Sequence, residues 1–459
     1  MALLRCLAGL SLGLAAIPAG AQQAQADPGT GPNAVLSEWL EAFNTGGDAG
    51  MKAFYARRLD DPDALTARTL RTETCGFDLV RIEKQEAARL SALLAERCFP
   101  ALQRVSFAVA EDGTLDDFAL EPFAMSGARL DAYVTGLADR LAERDEFAGS
   151  LVVLTDDGRR LEASRGMVSA ADQTPIGPDT PMFLASAGKM FTAVAILQLV
   201  KAGRVELDAP LSRYLPDYPN EAMAGATIRQ LLSHRAGAGE DGVLRREDTG
   251  ARARVRTIDD YLALNGDRPP DFEPGTKSDY SNYGFILLGA VIERVTGETY
   301  PDYVRAHVFE PAGMTEAGYP DRENLGGIPV GLTTFFEAEP ALVPNTEVLP
   351  WRGSAHGGGV ASANDMLRFF AALKGGTLLP PESLELATTP GETPWYGLGF
   401  VAQGGEHPQW GHGGGSYGMS VAAQTYPSKG ATFVCLAARD MACDRLIFAW
   451  YLKLFGLTE

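Results

Sequence analysis

The sequence predicts an α/β (α+β) two-lobed fold with a central antiparallel sheet and a helical insert, preceded by a small α+β domain. Three observations carry this. Strand-like segments stand at both ends of residues 127–459, with helical or loop sequence rich in Pro and Gly between them. Residues 30–125 run helix first and strands after. A chain of 459 residues, 46% of them hydrophobic, is long enough for two or three domains with a sizeable core.

Residues 1–21 read as an export signal. Arg5 supplies the early positive charge, an apolar run follows from Cys6 to Ala16, and Pro18 precedes the small-residue pattern Ala19-Gly20-Ala21. Ala24-Gln25-Ala26 is a second cleavage pattern, so a mature start at Gln22 or Asp27 is expected. The run is short for a bilayer span, and a membrane anchor is the alternative reading. Cys6 precedes the apolar run, too early for a lipid-bearing cysteine. The expected location is periplasmic or secreted, without stable membrane insertion after cleavage. Cys75, Cys98, Cys435 and Cys443 then remain, an even number that permits two disulfides. The pairs Cys75–Cys98 and Cys435–Cys443 are favoured because each is local in sequence; free buried thiols are the alternative.

Within residues 30–125, "NAVLSEWLEAFNTG" places Val35, Leu36, Trp39, Leu40 and Phe43 on one helical face, with Gly46 closing it. "FDLVRIEK" and "RVSFAVAEDGTLDDFAL" read as strands. In the second, Val105, Phe107 and Val109 alternate with polar or small residues, and Asp112-Gly113 makes a hairpin turn. No catalytic cluster falls here, so a packing or substrate-gating role is expected. From residue 127 a helix leads into two strands joined around Asp156-Asp157-Gly158. At the other end "WYGLGFVAQ", "YGMSVAAQTYP" and "ATFVCLAA" read as strands and "CDRLIFAWYLKLF" as a closing helix. A cleft between two such lobes is where a ligand is expected.

The formal net charge of −19 argues against nucleic acid and anionic membrane surfaces as partners. The five histidines show no metal-ligand spacing, so neither metal nor cofactor is expected.

"FLASAGKMFTAVAILQLV" sets Ser186 and Lys189 three positions apart in an otherwise almost wholly apolar stretch. On a helix they share a face. A buried ammonium is costly unless paired or deprotonated, and a desolvated lysine has a lowered pKa that suits a base. Taken alone, Ser186 could cap the helix and Lys189 snorkel to water. "EPGTKSDYSNYGFILLGAVIERVTG" turns at Pro274-Gly275, exposes Tyr280-Ser281-Asn282, and enters an apolar helix near Tyr283 that ends at Gly297. "PQWGHGGGSYGMSV" sets His412 and three glycines immediately before a strand, where a bare backbone lets a ligand approach. Alone, Tyr280 could be a packed aromatic, Asn282 a helix cap and His412 a loop histidine. His234, in "LLSHRAG", reads as support for a turn rather than as a participant in chemistry.

Ser186-Ala187-Gly188-Lys189, Tyr280-Ser281-Asn282 and His412-Gly413-Gly414 together resemble the three ordered motifs of the serine β-lactamase and penicillin-binding family. The tyrosine form of the second motif is similar to the branch holding class C β-lactamases, D-alanyl-D-alanine carboxypeptidases, D-aminopeptidases and family VIII esterases. "LDAPLSRYLPDYP", "TIRQLLSHRAG", "FEPGTKSDYSNYGF" and "GGGVASANDMLRFF" resemble the same branch. The resemblance spans residues 127–459 and implies a β-lactamase/transpeptidase-like fold; residues 30–125 resemble, more loosely, a nuclear-transport-factor-2-like domain. It implies Ser186 as nucleophile, Lys189 as its base and Tyr280 as a proton carrier to the leaving group. Asn282 would hold Lys189 and a substrate carbonyl, His412 and Gly414 would bind substrate, and the N–H groups of Ser186 and Gly415 would receive the oxyanion. One departure matters: many β-lactamases carry a lysine at the position of His412, where it helps hold the β-lactam carboxylate, and histidine is mostly neutral at pH 7. The expectation is an exported serine hydrolase acting through an acyl-enzyme on a small ester or D-amino-acid-type amide. A true β-lactamase or D,D-carboxypeptidase is the alternative enzyme. A module that binds cell-wall fragments or β-lactams without turnover is the alternative outside enzymes.

Overall fold

The computed structural model describes residues 31–59, 65–169, 173–242, 254–334 and 341–457. The export-signal reading of residues 1–21 lies outside them. No helix among the described residues is long and apolar enough to cross a membrane. The chain divides into two compact units after Glu121.

The first unit opens with three helices, α1 (Pro32–Asn44), α2 (Gly47–Arg58) and α3 (Leu65–Thr74). Val35, Leu36, Trp39 and Phe43 form the buried stripe of α1, at the helical spacing of their sequence. The sheet follows as β1 (Phe77–Gln85), β2 (Arg89–Glu96), β3 (Leu102–Val109) and β4 (Leu115–Pro122), paired in chain order. The hairpin between β3 and β4 turns as its sequence predicts: Gly113 has φ +83° and the Thr114 N–H donates to Asp112 Oδ1 at 3.0 Å. Asn44 ties α1 to β1, its side chain exchanging two 2.8 Å bonds with the backbone of Phe77. Cys75 and Cys98 are disulfide-bonded, with Cα atoms 5.4 Å apart.

The second unit is built on a six-stranded antiparallel sheet drawn from both ends of its sequence. Helix α4 (Gly127–Glu143) leads into β5 (Gly149–Thr155) and β6 (Arg160–Arg165). The late strands are β7 (Val401–Gln403), β8 (Gln409–Ser416), β9 (Met419–Tyr426) and β10 (Ala431–Ala437), and the sheet order is β7-β8-β9-β10-β5-β6. Between them run α5 (Lys189–Lys201), α6 (Tyr283–Thr296) and α7 (Ala363–Lys374), and the unit closes on α8 (Ala442–Leu454). Helix α5 is apolar on nearly every side, and its residues from Lys189 to Leu197 are all buried, as such a helix requires. Helix α6 ends where the sequence predicts, with Gly297 in the left-handed region at φ +79°. Cys435 and Cys443 are disulfide-bonded and join β10 to α8.

Two expectations change in detail. "WYGLGFVAQ" supplies only the short strand β7, because Gly399 turns at φ +83° against α5, where a Cβ would collide with the Ala193 side chain. His412 and the glycines after it do not precede a strand; they lie within β8. Of these glycines Gly414 is the one that packs backbone against backbone, where a Cβ would meet Leu184 O and Ser186 N.

Candidate active site

Ser186 stands in a single 3-10 turn, Ala185–Gly188, that runs straight into α5 at Lys189. The turn is clamped from two directions. The Gly358 N–H donates to Ala185 O at 3.0 Å, and the Leu184 N–H donates to Gly359 O at 2.8 Å. On the other side is β8, where a Cβ on Gly414 would lie 2.6 Å from Leu184 O and 2.9 Å from Ser186 N. Only glycine permits that approach. Ala185 itself has φ +43°, an unfavourable angle for a residue with a side chain, which the clamps hold in place immediately before the serine. Being in the first turn of a helix, the Ser186 N–H has no intrahelical partner to engage it.

Lys189 is fully buried. Its Nζ donates to Asn282 Oδ1 at 2.7 Å and to the carbonyl oxygen of His356 at 2.5 Å, and stands 3.4 Å from Ser186 Oγ. Burial pushes its pKa down to about 7, against the pull of the Glu240 and Asp241 carboxylates. A neutral amine has two N–H donors and one lone pair. With both donors committed to the two carbonyl oxygens, the lone pair is left for the serine hydroxyl.

Tyr280 lies over this amine, its ring centroid 4.8 Å from Lys189 Nζ. Burial raises the pKa of its hydroxyl, and the neighbouring Ser186 hydroxyl offsets part of the rise. The Tyr280 oxygen is buried beside Ser186 without a well-aligned hydrogen bond, the loose geometry common in sites that tighten only around substrate. Asn282 stands at the N-cap position of α6, but its side chain makes no capping bond. Its amide nitrogen donates to Glu240 Oε2 at 2.7 Å, which fixes the amide so that its oxygen faces Lys189. Glu240 takes one of the two amide N–H donors, and Asn282 lines the cleft around Ser186.

His412 is 3% exposed and does not line the cleft around Ser186. Its Nδ1 faces the carbonyl oxygen of Gly413 and its Nε2 lies 2.9 Å from the Tyr396 hydroxyl. The ring therefore carries its proton on Nδ1, given to Gly413, and accepts from Tyr396 at Nε2. Burial, reinforced by Lys189, lowers its pKa to about 3. The cleft is lined by Ser186, Asn282 and His356 and by Gly415, Ser416 and Met419 of the β8–β9 hairpin. So Gly415 faces the site, and Gly414 acts by letting β8 close on the nucleophile turn.

Glu240 and His356 lie outside the motifs quoted from the sequence, and Gly357 opens the "GGGVASANDMLRFF" stretch. Glu240 orients Asn282. His356 supplies the carbonyl that holds Lys189, and its Nε2 stands 3.2 Å from Oδ2 of the fully buried Asp241. Gly357 follows at φ +136°, where a Cβ would collide with Ala185 O. The signal available was a histidine abutting "GGGVASANDM" and two acids just after "LLSHRAGAG". His234 supports a turn, as expected: it has φ +59°, its carbonyl accepts from the Asp279 N–H at 3.0 Å, and its Nδ1 accepts from the Ser281 N–H at 3.1 Å. It thereby holds the segment that presents Tyr280.

The Beta-lactamase family model matches residues 134–451, more than half of the chain. The chain belongs to the β-lactamase family. It is 28% identical over 325 residues to Penicillin-binding protein 4* of Bacillus subtilis, covering 66% of this chain and 71% of that protein. It is 29% identical over 328 residues to Esterase EstB of Burkholderia gladioli, covering 64% and 82%. Among solved structures, a D-stereospecific amidohydrolase from Streptomyces sp. superposes with a TM-score of 0.57 at 26% identity, covering 69% of this chain and 98% of that one. The fold is the one the family resemblance implies, and this β-lactamase family member is of the serine hydrolase type.

Proposed function

We propose that this chain is an exported serine hydrolase acting through an acyl-enzyme on a small ester or a D-amino-acid-type amide, with Ser186 as nucleophile. The observation that carries the reading is the Lys189 amine. It is buried, held by two carbonyl oxygens, and set 3.4 Å from Ser186 Oγ with a pKa near the working pH of a base. In the first step the Ser186 oxygen bonds to the substrate carbonyl carbon while its proton passes to Lys189 Nζ. The carbonyl electron pair moves onto oxygen, where the Ser186 and Gly415 N–H groups receive it. Collapse of that intermediate breaks the bond to the leaving group, which takes a proton relayed through Tyr280. Water then attacks the acyl-enzyme, gives its proton to the same relay, and frees the acid and Ser186.

Relatives named as an esterase and a D-stereospecific amidohydrolase support this substrate class. A relative named as a penicillin-binding protein supports the second reading, a β-lactamase or D,D-carboxypeptidase. Against that reading stands His412, neutral and with its one N–H already given to Gly413. The test is a panel of p-nitrophenyl esters, nitrocefin and D-alanyl peptides against wild type and Ser186→Ala, with peptide mass spectrometry after a fluorophosphonate probe. Turnover of esters or D-peptides that vanishes in Ser186→Ala, with label on Ser186 alone, is the expected result. Label elsewhere, or none on folded protein, removes the reading.

A further inference from the structure

The cleft around Ser186 is charged against the trend of the molecule. The chain carries a formal net charge of −19. Yet the residues lining this cleft include Arg322 and Arg352 and no acidic residue. The two arginines come from adjacent segments stitched together by backbone: the Arg322 N–H donates to Trp351 O at 2.8 Å, and Asp321 and Arg352 form an antiparallel bridge. Arg352 is only loosely paired, its Nη2 3.6 Å from Asp321 Oδ2, and its Nε is buried without a hydrogen-bond partner. Arg322 has no carboxylate within ion-pair distance among the described residues. The acids beside the site are occupied elsewhere, Glu240 with the Asn282 amide and Asp241 near the His356 ring.

An unpaired guanidinium at the wall of a partly desolvated cleft presents a planar fork of donors matched to a carboxylate. The position associated with carboxylate binding in this fold is filled here by His412, which lies outside the cleft lining and is neutral. Resting on the hydrolase reading above, we propose that Arg322, with Arg352 beside it, is the specificity-determining cation of this cleft. The preferred ester or amide then carries a carboxylate remote from the scissile bond, held on the wall formed by residues 320–325 and 349–353 and not on β8.

The test uses two matched pairs. Mono-p-nitrophenyl glutarate against its methyl ester places the carboxylate on the acyl side; 3-acetoxybenzoate against methyl 3-acetoxybenzoate places it on the leaving-group side. Wild type should favour the acid in at least one pair by at least about tenfold in kcat/KM at low ionic strength. Added salt should shrink that ratio. Arg322→Ala should bring the ratio close to one and Arg322→Lys should restore part of it; because each ratio is taken within one variant, any general loss of activity cancels. No preference in wild type, or a preference intact in Arg322→Ala, overturns the proposal while leaving the hydrolase reading standing. Calorimetry with Ser186→Ala covers failure of turnover itself. Glutarate should bind more tightly than glutaramide, and Arg322→Ala in that background should abolish the difference. Equal binding overturns the proposal even if Ser186 proves not to be a nucleophile.

Discussion

At the scale of single residues, the Lys189 amine sets the pH behaviour. The base form is the neutral amine, and its pKa is lowered to about 7 by burial, so kcat/KM for p-nitrophenyl acetate should climb through an acid limb centred near that pH. Lys189→Ala should lower turnover by at least about a hundredfold with the fold retained. Asp241 pulls the lysine pKa upward by its charge, so Asp241→Asn should move the limb to lower pH; an unmoved limb would mean the acid acts only through the His356 loop. His412 gives the opposite kind of test. With its pKa lowered to about 3, it gains no positive charge on going from neutral to about pH 5, where an ordinary histidine would be charged. Wild type should cleave p-nitrophenyl acetate faster than nitrocefin, and the ratio should stay flat across that range when measured in parallel. Ser186, Lys189, Tyr280 and Asn282 were legible because a lysine in an apolar helix demands partners and short motifs marked where they lie. Glu240 and His356 were not, since their contacts span 42 and 167 positions and neither residue type is unusual in a loop.

At the scale of elements, the site depends on how closely backbone meets backbone. The Ser186 turn, the Gly357–Gly359 segment and β8 converge at distances that leave no room for a Cβ. Gly414→Ala would drive its methyl against Leu184 O and Ser186 N, and both are main-chain atoms that cannot swing away. The strand must then retreat from the nucleophile turn, and kcat should fall by about a hundredfold, as a misplacement of 1 Å costs. Circular dichroism and fluorophosphonate labelling rates would separate that displacement from unfolding. The sequence showed glycines beside His412 but not that they lay inside a strand, because alternation of apolar and polar residues is what marks a strand, and glycine erases it. Strand β2 was hidden for a related reason: Ala92, Leu93 and Leu94 are all buried in succession, which breaks the period of two. Helix α6 was plain, since its apolar run and its terminating Gly297 agree.

At the scale of the whole molecule, each unit has its own core and its own disulfide. All the residues assigned roles here lie after Glu121. A chain beginning at Pro122 should therefore fold and retain p-nitrophenyl acetate turnover within a few-fold of the full chain; loss of that turnover with the fold intact would give residues 31–121 a part in catalysis. The sheet topology also governs how the protein comes into being. In the first unit, β2 and β3 are sequence neighbours, with Arg89 opposite Ala108. In the second, β5 must find β10, with Val153 opposite Phe433, across nearly the whole of the unit. Joining strands so distant costs loop-closure entropy before any contact repays it, and such pairings form slowly. The Ser186 turn has no seat until β8 has joined that sheet, so a chain diluted from denaturant should regain helical circular dichroism early and esterase turnover only in its slowest phase. During synthesis the same order holds: the nucleophile is made early, and it stays unassembled until nearly the last strand has been added.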